Sequence, residues 1–315
     1  MSFGLLAGVL WALGTVVLGI ALSSSPLSVN GETLFLAPFV ATFLHDAASA
    51  VFALIYNLVK GNAKRLILTF KSKKLIFLII ASAIGGPVGM TGYVLAVNFL
   101  GASVGAVASA IYPAIGTLLA FIFLKERVKP YQWVFLGIAL LGVYGLSFSP
   151  TLTVTSFPLG LVGAAMCAIG WGVEAVVLAK CFTDPKIKQE CALFVRQTVS
   201  ATVYGALIIP ILGGYGLVGE LFTPKGAALL PIIAAAALCS TLSYLFYYLA
   251  ISRLGASKAM ALNITYTAWA IIFTLIILRD FSVLSPITLL CSAAVVIFGI
   301  LAATDIGALF GKRKK

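Results

Sequence analysis

The chain has 315 residues, 62% hydrophobic and only 10% charged, with a formal net charge of +12. Soluble domains carry about 25% charged residues, and a mean hydropathy of +1.14 is too apolar for a water-facing surface. A soluble enzyme, a secreted disulfide scaffold and a disordered chain are excluded, which leaves an all-α polytopic membrane protein.

A membrane helix needs about 20 apolar residues to cross about 30 Å of hydrocarbon. In chain order such runs fall at 3–23, 34–60, 75–97, 102–124, 131–148, 158–180, 191–213, 228–251, 256–278 and 284–305, which predicts ten transmembrane helices. The runs are continuous rather than alternating, so they are not barrel strands. The first lacks a basic leader and a small-residue cleavage site and reads as a retained helix. No loop between the runs is long enough to fold as a soluble domain. Cys167, Cys181, Cys191, Cys239 and Cys291 lie in or at the ends of runs, with no metal-ligand spacing. No metal, cofactor or disulfide is expected.

Lys and Arg accumulate in cytoplasmic loops. Here they fall at 60–74, 125–129, 180–188, 253–258 and 312–315, leaving only Arg196, Lys225 and Arg279 elsewhere. The pattern places both termini in the cytoplasm of a multi-pass cell (plasma) membrane protein. It gives the net charge a topological and lipid-surface reading and removes nucleic acid as a partner.

The chain also repeats itself. At an offset of 154, Leu100-Gly101-Ala102-Ser103 falls on Leu254-Gly255-Ala256-Ser257, Tyr112 on Tyr266, and Leu124-Lys125-Glu126 on Leu278-Arg279-Asp280. Residues 1–149 and 156–311 therefore form two five-helix repeats, with 312–315 a basic cytoplasmic tail. An odd number of spans inverts the second copy, so the expected fold is a 5+5 inverted repeat, an architecture of secondary transporters with a midplane site. The two repeats, the Leu-Gly-Ala-Ser step and the Leu124-Lys125-Glu126 closure resemble the EamA-like branch of the drug/metabolite transporter superfamily. The resemblance implies a ten-helix fold and alternating access.

Ionisable groups inside a bilayer are costly and usually line a pathway. Glu174 lies in the sixth span, about 7 Å to the cytoplasmic side of its centre, with Trp171 one turn away on the same face. Trp11, Tyr244 and Tyr247 fall within about 10 Å of the centres of their own spans, at the same level. Aromatic faces hold quaternary ammonium groups, which have no N–H to donate, and Glu174 supplies a countercharge. Interfacial belts are the alternative use of aromatics, and Tyr56, Tyr131 and Trp133 fit that use. Tyr248 reads as packing.

His45 and Asp46 are adjacent in the second span, so they point about 100° apart; they read as a proton relay or gate, or as a mutually satisfied pair. Tyr112 and Tyr266, with Ser109 and Asn263 one turn earlier, either line the cavity or bond across helices. Tyr93 reads as an outer gate or as packing. Gly85-Gly86-Pro87 and Pro113 predict kinks. Arg196 reads as a group near a helix end, which leaves no basic residue at the depth of Glu174.

Gly4-Leu5-Leu6 with Trp11, Leu44-His45-Asp46, Gly86-Pro87-Val88-Gly89-Met90, Ile111-Tyr112-Pro113 and Trp171-Gly172-Val173-Glu174 are similar to motifs of bacterial choline importers that supply phosphocholine for surface polymers. This resemblance implies a choline-type substrate and assigns Trp11, Trp171 and Glu174, with Tyr244 and Tyr247, to its pocket. The expected protein is then a secondary importer of a small cationic solute, driven by membrane potential with proton symport as an added option, and compatible with a homodimer. The alternative is an exporter or exchanger of amino acids or other small metabolites. A membrane-embedded enzyme finds no catalytic constellation in the sequence.

Overall fold

The computed structural model describes residues 1–101, 105, 107, 110–147 and 154–306. These residues form helices and connecting turns, with no β-strand among them. Nine helices are long and apolar enough to cross a membrane. They are α1 (Ser2–Leu22), α2 (Gly31–Val59), α3 (Leu75–Leu100), α5 (Pro130–Ser147), α6 (Phe157–Cys181), α7 (Gln189–Ile211), α8 (Leu229–Leu254), α9 (Ala256–Leu278) and α10 (Pro286–Ala303). Between α3 and α5, the shorter apolar helix α4 covers Tyr112–Phe123. The rest of the fourth expected span includes 102–104, 106, 108 and 109, outside the described residues, as are Ser109 and the 312–315 tail.

Local chemistry sets several of the helix ends. Asn30 and Thr33 form a reciprocal capping box at the start of α2, and Ser285 accepts from the Thr288 amide at the start of α10. Both satisfy amides that have no partner within the helix. The fourth span is interrupted beside Pro113, by a turn at Ala110-Ile111 just before α4 begins. Pro113 sits in that helix's first turn, where a missing N–H costs nothing. Gly85-Gly86-Pro87 also interrupts its helix, as a π-turn over Ile84–Val88.

Helix contacts pair α1 with α8, α3 with α6, α2 with α7, α5 with α10, α4 with α6, and α1 with α9. Exchanging α1–α5 for α6–α10 in order leaves this set of contacts unchanged. The backbone shows the same relation locally. Gly101 and Gly255 share a positive φ of 83° and 90°, and Lys125 and Arg279 are left-handed at 55° and 53°. Ala110-Ile111 and Ile264-Thr265 both form turns that break a helix just before Tyr112 and Tyr266. Close packing depends on small residues. A side chain on Gly92 would strike the Gly163 carbonyl, which lets α3 and α6 touch backbone to backbone.

The basic loops gather at one end. The Ser72 hydroxyl donates to Asp184 (2.6 Å), and the Lys74 ammonium donates to the Lys180 carbonyl (2.9 Å) and to Thr183 (2.6 Å). The Ser72 hydroxyl, with the Lys186 amide behind it, holds the Asp184 carboxyl below its ordinary value. Arg253 lies over the Phe3 ring at 4.9 Å, so α1 starts at this same end and Leu22 marks the opposite one.

Candidate functional site

Trp11, Trp171, Glu174, Tyr244 and Tyr247, with Tyr112 and Tyr266, line one cavity of about 40 Å³, together with Ser243 and Asn263. Residues from α1, α4, α6, α8 and α9 meet there, although they are far apart in the chain. Trp11 meets Tyr244 edge to face at a centroid distance of 5.2 Å, and Trp171 meets Tyr112 likewise at 5.5 Å. Asn263 donates to the Tyr112 hydroxyl at 3.0 Å, so the two tyrosines at the broken helices have different surroundings.

The π-turn of α3 positions one wall. Its Gly85 carbonyl accepts from the Trp171 indole at 3.1 Å, which fixes the ring plane. Gly85 also makes room for a carboxylate, because a methyl group there would overlap Glu174. Tyr93 stacks on the other side of Trp171 at 5.9 Å.

Arg196 overturns the expectation of a lone carboxylate. It is 1% exposed, its Nε donates to Glu174 Oε1 at 3.2 Å, and its Nη1 lies 3.6 Å from Asp46 Oδ2. It therefore does not reach for water from a helix end. Glu174 lies seven residues before the end of α6 at Cys181, and Arg196 seven residues after the start of α7 at Gln189. Both ends are on the basic side, so equal counts bring the two groups level.

His45 and Asp46 belong to the same charge cluster rather than to the aromatic cavity. His45 Nδ1 and Asp46 Oδ1 are 2.9 Å apart, and Ser200 donates to Asp46 Oδ2 at 2.5 Å. Arg196 also donates to Gln197 (2.7 Å), which donates to Ser49 (2.6 Å). Such a network is stable only when each buried charge has partners. One atom is left over, since Arg196 Nη2 is buried without a hydrogen-bond partner.

Tyr248, read from sequence as packing, donates to Glu174 Oε1 at 3.3 Å. The signal was its position one turn beyond Tyr244 on α8. The Arg196 guanidinium lies 4.6 Å over the opposite partner, the Tyr244 ring. Tyr244 is thus the wall between the aromatic cavity and the charge cluster.

A second cavity, of about 260 Å³, continues from this wall. It is lined by Tyr93, His45, Asp46 and Arg196, and reaches Gly19 and Leu22 at the end opposite the basic loops. It shares Trp11, Trp171, Tyr244 and Tyr266 with the first. Nearer the basic end, Tyr248 lies against Phe182 (5.6 Å) and Phe3 stacks on Phe246 (6.1 Å). There the Glu126 carboxylate accepts from the Ala256 and Ser257 amides at 2.7 and 3.1 Å, a favourable charge at the start of α9. Among the described residues no three His, Cys, Asp or Glu side chains gather as metal ligands.

Residues 1–148, just under half of the chain, match the EamA-like transporter family, a likeness that supports a transporter of small solutes rather than an enzyme. Protein LicB of Haemophilus influenzae is 28% identical over 289 residues, covering 91% of each chain. A crystal structure of a protein at 17% identity shares the fold, with a TM-score of 0.70 over 98% of each chain.

Proposed function

We propose that the protein is a secondary importer of choline or a related quaternary ammonium compound, working by alternating access. The observation that carries this reading is the cavity walled by Trp11, Trp171, Tyr112, Tyr244 and Tyr247, with one carboxylate, Glu174, at its edge. A methylated ammonium offers no N–H, so diffuse attraction to aromatic faces is its natural hold. Asp46 and Glu174 set against Arg196 leave one negative charge when His45 is neutral. That charge balances a monovalent cation in the cavity, with Glu174 the nearest of the carboxylates.

Five helices in each of two inverted repeats, ten in all, fit the paired backbone geometry at Gly101 and Gly255 and at Lys125 and Arg279. In this reading the basic end and both termini face the cytoplasm of the cell membrane. The second cavity then opens outward, and the aromatic layers around Tyr248 and Phe3 form the closed inner gate. An inside-negative potential favours uptake of one positive charge by about 2.3 kcal/mol per 100 mV, nearly 50-fold in concentration. Protonation of His45, Asp46 or Glu174 would bring the cluster to zero charge. These three are the groups through which protons couple to transport.

A thermal-shift panel of choline, betaine, other ammonium compounds and amino acids tests the substrate class. Choline is expected to stabilise the protein, and Glu174→Gln is expected to weaken its binding by at least about tenfold, or about 1.4 kcal/mol. Binding of choline that is flat from pH 5 to 8 would leave the potential as sole driver. One observation favours a second reading, the exchange or export of amino acids. The unpartnered Arg196 Nη2 could take a substrate carboxylate. Stabilisation by amino acids and not by choline would select that reading.

A further inference from the structure

Away from the aromatic cavity, α6 carries a groove of about 530 Å³. Its floor is Val173, Val176 and Val177 of α6, and its walls are Phe77 of α3 and Leu119 and Phe123 of α4. Phe77 and Phe123 are exposed on the outer surface of the helix bundle. From Val173 to Lys180 the groove runs about 10 Å along the helix. Its lining is apolar except at the basic end, where Lys74 and Lys180 stand side by side.

This arrangement differs from an ordinary lipid-facing surface in having charge at one end only. Lys74 spends two of its three N–H donors on the Lys180 carbonyl and Thr183. The Lys180 side chain is exposed and engages no carboxylate among the described ion pairs. Two ammonium groups above an apolar channel match the two parts of a phospholipid, a phosphate and a hydrocarbon chain. Basic pockets between membrane helices at headgroup level bind anionic lipids on this principle.

We propose that the groove is a binding site for an anionic glycerophospholipid, with an acyl chain along Val173 and Val177 and the phosphate on Lys180 and Lys74. The groove is separate from the aromatic cavity, which lies on the inner side of α6 with Trp171 and Glu174. Its occupant bridges α3, α4 and α6, three helices around the closed end of the path.

The test uses the full chain in detergent, incubated with phosphatidylglycerol or phosphatidylcholine of identical acyl chains, washed, and weighed by native mass spectrometry. The wild type is expected to retain several-fold more phosphatidylglycerol than phosphatidylcholine. Lys180→Gln is expected to remove that preference, while Lys71→Gln, at the same end but off the groove, keeps it. Val177→Trp fills the channel and is expected to release both lipids; Leu119→Trp does the same from the opposite wall. Thermal unfolding of each variant identifies any that has lost its fold. Equal retention of the two lipids by the wild type overturns the proposal. So does an unchanged preference in Lys180→Gln, or undiminished lipid in both folded tryptophan variants.

Discussion

The aromatic cavity and the charge cluster share Tyr244 as a wall, yet they are built on opposite principles. The cavity gathers ring faces from several helices, and most of its contacts have no hydrogen-bond direction. The cluster links His45, Asp46, Arg196, Glu174 and Tyr248 through directed bonds, nearly every one with a fixed partner. Loss of a ring therefore removes attraction, whereas loss of a cluster member leaves a buried charge behind. The first kind of damage is expected in ligand binding, and the second in the stability of the fold.

The largest effect expected from this contrast is in the cluster. Arg196→Ala leaves Asp46 and Glu174 buried without their cation, and breaking such a pair costs about 3–5 kcal/mol. A large fall in the midpoint of thermal unfolding in detergent checks it. A midpoint near that of the wild type would show that the cluster does not hold α2, α6 and α7 together.

Trp171→Ala sharpens the other side of the contrast. It removes a ring face and the bond to the Gly85 carbonyl. The expected loss of choline affinity is about 2 kcal/mol, roughly 30-fold, measured by calorimetric titration. Its unfolding midpoint should fall less than that of Arg196→Ala, and the reverse order would break the comparison.

Tyr248→Phe probes the border between the two regions. It keeps the ring and deletes only the hydroxyl that donates to Glu174. One such bond is worth about 1 kcal/mol, or roughly fivefold in choline affinity if Glu174 then moves. An unchanged affinity would show that Arg196 alone positions the carboxylate.

The smallest effect lies outside both regions, at Asp184. Its carboxyl is held below the ordinary value by the Ser72 hydroxyl, then by the Lys186 amide. A depressed folded value means a contribution present above the unfolded value, about 3.9, and lost as pH falls through the folded one. Asp184→Asn should lower the unfolding midpoint slightly at pH 7 and not at all in strong acid. A difference that persists in acid would contradict the assignment.

The membrane helices were legible because span length is set by the bilayer. Nine of the expected runs match helices to within about three residues at each end. The aromatic cavity was legible as well, because helical rise converts residue number into depth. Trp11, Trp171, Tyr244 and Tyr247 could be placed level before any contact was known. Arg196 was misplaced because it lies close to the end of its span, where a long side chain can reach water, although counting from the basic end of α7 gives the depth of Glu174. His45 and Asp46 were visible as adjacent polar residues and as a mutually satisfied pair, but the nearby guanidinium depends on how α2 meets α7. The role of Gly85 was hidden for a similar reason. A missing side chain signals close approach, and the sequence does not say that the approaching group is a carboxylate.

The central claim is that a permanent cation crosses this membrane protein through the aromatic cavity. Uptake of labelled choline into proteoliposomes, with and without an imposed inside-negative potential, tests it most directly. The account predicts accumulation that approaches 50-fold per 100 mV and collapses when the potential is removed. Uptake no greater than in empty vesicles, or uptake indifferent to the potential, would contradict it.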